Sequence, residues 1–143
     1  MKLRRQSNAV YCCEYHIVLP TKYRRRIFND GVFAYLEILI KEFESYYPEV
    51  EILRINHDED HIHILASIPP KLSVGKVIGI LKANTSSKIR NKYEFIRKVY
   101  YGGGSIWSGG YFVSTVGSNE LVIQKYIDNQ GKEDTGRAEL ELQ

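Results

Sequence analysis

An α+β fold in the order βαββαβ, with one more helix at the end, is what this sequence predicts. Three observations carry the prediction. Four apolar stretches rich in Val, Ile and aromatic residues read as strands. Two stretches between them repeat apolar residues at helical spacing behind an Asn, Asp or Ser that can cap a helix. The middle two strands are separated only by a short polar turn, which makes them a hairpin. Strands and helices alternating around one central hairpin give a ferredoxin-like (RRM-like) sandwich. Two helices then cover one face of the sheet and leave the other open.

The first strand is expected over Ala9 to Leu19, stopped by Pro20, after a loose polar arm at residues 1–8. Thr21-Lys22-Tyr23-Arg24-Arg25-Arg26 follows as a basic loop with an aromatic inside it. Asn29 or Asp30 caps a helix carrying Phe33, Leu36, Leu39, Ile40 and Phe43 on one stripe, up to Tyr47 and Pro48. Val50 to Asn56 is the second strand, His57 to Asp60 a polar turn, and His61 to Ile68 the third strand. Ser73 caps a second helix reaching about Lys92, with Val77, Ile80, Leu81 and Ile89 inward. Tyr93 to Tyr101 is mixed, and Gly102-Gly103-Gly104 is a break. Ile106-Trp107 and then Tyr111 to Val116 read as the fourth strand, bent at Gly109-Gly110. Gly117 is a hinge, Ser118 or Asn119 a cap, and Glu120 to about Gln130 the last helix. The whole of 1–143 is one domain, with 131–143 a charged, flexible tail.

Composition narrows the class. An apolar fraction of 43% excludes a disordered chain. The net charge of +3 says little, but its distribution says more. Lys22, Arg24 and Arg25 cluster in the first loop, and Lys76, Lys82, Lys88, Arg90, Lys92 and Arg97 face a single acid, Glu94, between Lys71 and Lys98. Such clusters suit phosphate contacts, and each also fits a solvated surface. The cysteines, Cys12 and Cys13, are adjacent and suggest no disulfide framework. No apolar segment follows the basic N-terminus as in a signal peptide, and none approaches the roughly 20 residues of a membrane span. A cytoplasmic protein with no membrane partner is expected.

Asp60-His61-Ile62-His63-Ile64-Leu65 is the stretch where chemistry can start. On a strand, His61 and His63 share one face, while Ile62 and Ile64 point to the core. Two imidazoles side by side suit a divalent cation, although a pair alone also fits a polar solvent face. His16 either faces the same side or satisfies a hydrogen bond in the core, and the core role is the expectation. On the last helix Tyr126 and Gln130 are four apart and share a face. A tyrosine can attack a phosphodiester reversibly if a metal or base assists it. Gln130 would add a neutral oxygen to the two nitrogens, an incomplete shell suited to Mg2+ or Mn2+ with substrate completing it. A lone helical tyrosine in a chain with 11 of them also fits ordinary packing.

Over nearly its whole length the chain resembles the HUH single-tyrosine transposases of the smallest bacterial insertion sequences, the 200/605 group. The likeness runs through Tyr15-His16-Ile17-Val18, Thr21-Lys22-Tyr23-Arg24-Arg25, Asp60-His61-Ile62-His63 and Pro69-Pro70-Lys71-Leu72-Ser73 with Leu81-Lys82. It continues in Trp107-Ser108-Gly109-Gly110-Tyr111-Phe112-Val113 and closes with Val116-Gly117 and Tyr126-Ile127-Asp128-Asn129-Gln130. His61 and His63 would match the HUH metal ligands, Gln130 the third ligand and Tyr126 the nucleophile. The resemblance implies a homodimer in which the tyrosine helix of one subunit completes the histidine site of the other. It implies single-stranded DNA hairpins at element ends as substrates, and cleavage that leaves a 5′-phosphotyrosine and a free 3′-hydroxyl. Lys22, Arg24, Arg25 and Lys82 are the candidate DNA contacts, and a prokaryotic, DNA-associated setting follows. Three other readings stay open here: a related HUH nickase, a domesticated transposase acting on chromosomal palindromes, and a non-catalytic nucleic-acid-binding module that reads bases with sheet aromatics.

Overall fold

The computed structural model describes residues 3–6, 9–115 and 120–134, and within the last helix the side chains of 126–132 and 134. In chain order the elements are β1 (Arg4–Gln6), β2 (Ala9–Tyr11), β3 (Glu14–Pro20), a 3-10 turn (Lys22–Arg24) and α1 (Asp30–Tyr46). Then come β4 (Glu51–His57), β5 (His61–Ser67), α2 (Val74–Lys92), α3 (Glu94–Val99), β6 (Phe112–Thr115) and α4 (Glu120–Asp134).

The main sheet has the order β4-β5-β3-β6, and every neighbouring pair is antiparallel. This is the expected ferredoxin-like arrangement, with the two halves of the chain interleaved. Ile17 sits opposite Ile64 on one side and Val113 on the other, and Ile55 sits opposite Ile64. Residues paired across an antiparallel ladder point to the same face, so this face is a continuous apolar surface. It packs beneath Leu36, Leu39, Ile40 and Phe43 of α1 and Val77, Ile78, Leu81 and Ile89 of α2. The Asn29 side chain accepts from the Val32 amide at 2.9 Å, and Ser73 accepts from Lys76 at 3.3 Å. Both expected caps therefore form, each a stabilisation of about 1 kcal/mol.

The structure corrects five expectations. The long first strand divides at Cys12-Cys13, where Cys13 O accepts from the Ile68 amide at 3.1 Å. The part before it pairs with Arg4–Gln6 in a separate two-stranded sheet, so those residues are not a loose arm. Arg4 forms an ion pair with Glu51 and Gln6 reaches Glu49, partners more than forty residues away that no local pattern reveals. Ile106 and Trp107 do not belong to β6. The Trp107 indole donates to Thr85 Oγ1 at 2.9 Å and its ring stacks on Phe28 at 5.4 Å, so burial beneath α2 decides their place. The mixed stretch at 93–101 contains α3, anchored by buried Ile96. Finally, α4 runs on to Asp134, so the start of the expected tail is helical. Val116, the Gly117 hinge, the Ser118 or Asn119 cap and residues 135–143 lie outside the described residues.

Candidate active site

Strand register builds the site on the sheet face opposite the two helices. His61 pairs with Pro20, His63 with Val18, Leu65 with His16, and Val18 in turn with Phe112. All of these side chains share one face. His16 is therefore beside the metal-candidate pair and not in the core, which corrects the expectation for it. Its place follows from lying two residues before Val18 on β3.

Hydrogen bonds orient both imidazoles. His61 Nδ1 lies 2.7 Å from Asp60 Oδ1, and His63 Nδ1 lies 3.2 Å from His16 Nε2. With both Nδ1 atoms donating, the Nε2 lone pairs are left for a common target. The two Nε2 atoms are 2.9 Å apart. Two nitrogens each about 2.1 Å from one cation, at a right angle, would stand about 3 Å apart. Asp58 Oδ2 is 3.1 Å from His61 Nε2, and among the described residues Asp58, His61 and His63 form the group able to hold a metal ion. The donor set thus fits a divalent cation. Its backing by Asp60 has the form of a carboxylate that fixes a ligating histidine. The hydrogen bond from His61, with the Arg24 charge after it, holds the Asp60 carboxyl below the usual range, against the upward push of burial.

The tyrosine helix lies across this face. Tyr126 and Ile127 form a small cluster with Val18, and the Tyr126 ring is 5.7 Å from that of Phe112. Because Val18 is the register partner of His63, Tyr126 occupies the same face as the histidines. Gln130 and Tyr126, one turn apart on α4, both meet the loop at Gly110. A Cβ on Gly110 would stand 2.6 Å from Gln130 Oε1 and 2.9 Å from Tyr126 Oη, so only glycine lets the loop approach both. Lys82 holds that loop from beneath: its Nζ donates to Ser108 O at 2.7 Å and Gly110 O at 3.2 Å. Burial pulls the Lys82 ammonium below its ordinary pKa.

The basic loop divides in function. Lys22 is half-exposed, with its ammonium 5.8 Å from the Tyr23 ring centre, and Arg25 is exposed. Arg24 instead turns inward, to Asp60 and to Asp128 of α4. The sequence reading weighed His16 but placed it in the core, and it missed Asp58 and Asp60. The two carboxylates were read as an ordinary turn, although acids one and three residues before a histidine were the available signal.

A family model described as "Transposase IS200 like" matches residues 9–130. The transposase of insertion sequence element IS200 from Salmonella typhimurium is 41% identical over 123 residues, 85% of this chain and 79% of that protein. The ISDra2 transposase TnpA of Deinococcus radiodurans is 25% identical over 131 residues, 91% of this chain and 92% of that one. A crystal structure of a chain from Deinococcus radiodurans, titled as a transposase candidate, superposes with a TM-score of 0.79 at 25% identity. It covers 89% of this chain and 97% of the other. A REP-associated tyrosine transposase solved with a REP hairpin gives a TM-score of 0.54 at 12% identity, over 93% of this chain and 74% of that one, and speaks for the fold alone. Among the described residues no helix is long and apolar enough to cross a membrane. With the match running from β2 into α4 and a relative at 41% identity over most of both chains, this chain belongs to the IS200-like transposases and is a DNA transposase.

Proposed function

We propose that the chain cleaves and rejoins single-stranded DNA at hairpin-bearing element ends, with Tyr126 as nucleophile. The observation that carries this is the packing of Tyr126 on Val18 and Phe112, on the face that presents His61 and His63. Tyr126 Oη attacks the phosphorus. The bond to the 3′ oxygen breaks, the DNA strand leaves with a 3′-hydroxyl, and the 5′-phosphate stays on the tyrosine. The same hydroxyl, or that of another cleaved end, attacks the phosphotyrosine and restores Tyr126, so no external energy source enters. His61 and His63 would hold Mg2+ or Mn2+, with Gln130 as the third ligand, and the cation would supply charge that polarises the phosphodiester. Asp60 and His16 hold the two rings in the ligating tautomer. Lys22 and Arg25 contact the DNA backbone, and Tyr23 offers a ring for stacking. Hairpins as the substrate class rest on the resemblance to the 200/605 transposases, whose IS200-like family this chain belongs to. The setting is DNA-associated, in a prokaryotic cytoplasm.

The working unit is a homodimer with Tyr126 and Gln130 supplied to the partner's histidines. The docking of α4 on its own sheet favours a second reading, in which each chain completes its own site. Mixing Tyr126→Phe chains with His61→Ala, His63→Ala chains decides between them, because only shared sites regain cleavage in heterodimers. Asp58 Oδ2 is likewise a rival third ligand. Calorimetry of manganese binding to Asp58→Ala and Gln130→Ala separates the two.

The central test incubates the protein with hairpin-bearing single-stranded DNA and Mg2+ or Mn2+. A covalent protein–DNA adduct on a denaturing gel is expected, and none from Tyr126→Phe. Binding without any adduct from the unaltered chain would make it a binding module.

A further inference from the structure

Arg24 is where the basic loop, the histidine strand and the tyrosine helix meet. Its Nε donates to Asp60 Oδ2 at 3.0 Å, and its Nη2 lies 3.0 Å from the same oxygen. Its Nη1 donates to Asp128 Oδ1 on α4 at 2.6 Å. The other Asp60 oxygen, Oδ1, takes the His61 Nδ1 proton at 2.7 Å. The Arg24 stem also lies against Gly131 of α4, where a Cβ would come within 2.4 Å of Cδ. One planar guanidinium thus fixes both the carboxylate behind a metal ligand and the helix that carries the nucleophile.

The backbone is shaped to aim it. Tyr23 and Arg24 have φ of 57° and 51°, left-handed values that strain residues with a side chain. The turn is held by the Tyr23 amide donating to Asp134 Oδ2 at 3.1 Å. It is also held by Thr21 Oγ1, 2.7 Å from Arg25 O and 3.0 Å from Asp60 O. One of these ties comes from the end of α4 itself. Strain kept at this turn has a purpose if its product is the direction of the Arg24 side chain.

We propose that Arg24 is a positioning residue that couples cation binding at the histidines to docking of the Tyr126 helix. The inference rests on the reading of His61 as a metal ligand and on the arrangement in which α4 docks on the sheet of its own chain. A cation that fixes the His61 ring fixes Asp60 Oδ1, and through Oδ2 the plane of the guanidinium, so that Nη1 meets Asp128. Linkage makes the effect reciprocal: a docked helix orients Asp60 before the cation arrives. The competing role, a phosphate contact, would require DNA to displace two carboxylates from the same guanidinium.

The test is hydrogen exchange of the α4 amides, with and without manganese, beside calorimetry of manganese binding. In the unaltered chain manganese should slow exchange across 120–134. Arg24→Gln should exchange faster, lose the response to manganese and bind it roughly tenfold more weakly, as altered partners of ligating histidines do. Asp128→Asn cuts only the helix side and should also lose the response, which keeps the test open if Arg24→Gln folds poorly. The Trp107 near-ultraviolet signal reports the core and should not move in either variant. Two outcomes overturn the coupling alone. One is manganese binding by the unaltered chain with no effect on α4 exchange. The other is variants that keep the response while the DNA salt dependence flattens, which would make Arg24 a phosphate contact. If the unaltered chain binds no manganese, the metal reading fails and the coupling with it.

Discussion

The two faces of one sheet follow different rules in this protein. The face under α1 and α2 is mostly apolar: Ile17, Leu19, Ile62, Ile64 and Ala66 belong to one buried cluster, with His57 at its edge opposite Ile62 and stacked on Phe33. The opposite face carries His16, His61 and His63 beside Val18 and Phe112, and a single helix crosses it. The first face gains from close packing, where any large apolar side chain of the right shape serves. The second depends on orientation. Its rings are held by hydrogen bonds to Asp60 and His16, and its helix by the Arg24 bridge and two glycine approaches. On the proposed reading stability is concentrated on one side and chemistry on the other, and substitutions should separate them.

The strongest break in that comparison is Tyr126→Phe. It should remove adduct formation entirely while the melting temperature and hairpin binding stay near those of the unaltered chain, because only one oxygen is lost. An adduct formed at the normal rate would refute the nucleophile assignment. Ile64→Ala, on the other face, should do the opposite. It should cost about 2–5 kcal/mol in denaturant unfolding, and manganese binding by the remaining folded fraction should be unchanged. A loss of metal affinity with unaltered stability would show that the two faces are not separable.

A smaller effect is expected at Gly110. A methyl there meets Gln130 Oε1 and Tyr126 Oη, while Lys82 prevents the loop from retreating. Gly110→Ala should slow cleavage roughly ten- to a hundredfold through misplacement of the nucleophile. DNA affinity should hold, and single-turnover rates check this. The smallest effect belongs to the rim. Lys22→Gln with Arg25→Gln should lower the log–log salt slope of DNA binding by about 0.7–0.9 for each lost phosphate contact. A wild-type slope would mean that the loop's exposed cations face only solvent.

Much of the site was legible because its residues sit on elements with a fixed period. His61 and His63 share a face on any strand, and Tyr126 and Gln130 share one on any helix. The element order already implied a sheet with one bare face. Asp60 was less legible, since its value lies in accepting from His61 on one oxygen and from Arg24 on the other. Arg24 and Lys82 read as phosphate contacts because a cation in a sequence carries no sign of which way it turns. Here Arg24 points to carboxylates at positions 60 and 128, and Lys82 to carbonyls at 108 and 110.

By itself the sequence determined what depends on short-range periodicity: the strands and helices, the caps at Asn29 and Ser73, the apolar face and the pairing of the two histidines. Tertiary structure decided whatever depends on meetings between distant segments. It divided the first strand, paired Arg4 with Glu51, drew Trp107 under α2 and turned His16 toward His63. It also laid α4 over Val18 and ran a guanidinium between Asp60 and Asp128. The physical reason is that local propensity is set within a few bonds. A buried or bridging polar group is settled only when the whole chain has offered it a partner.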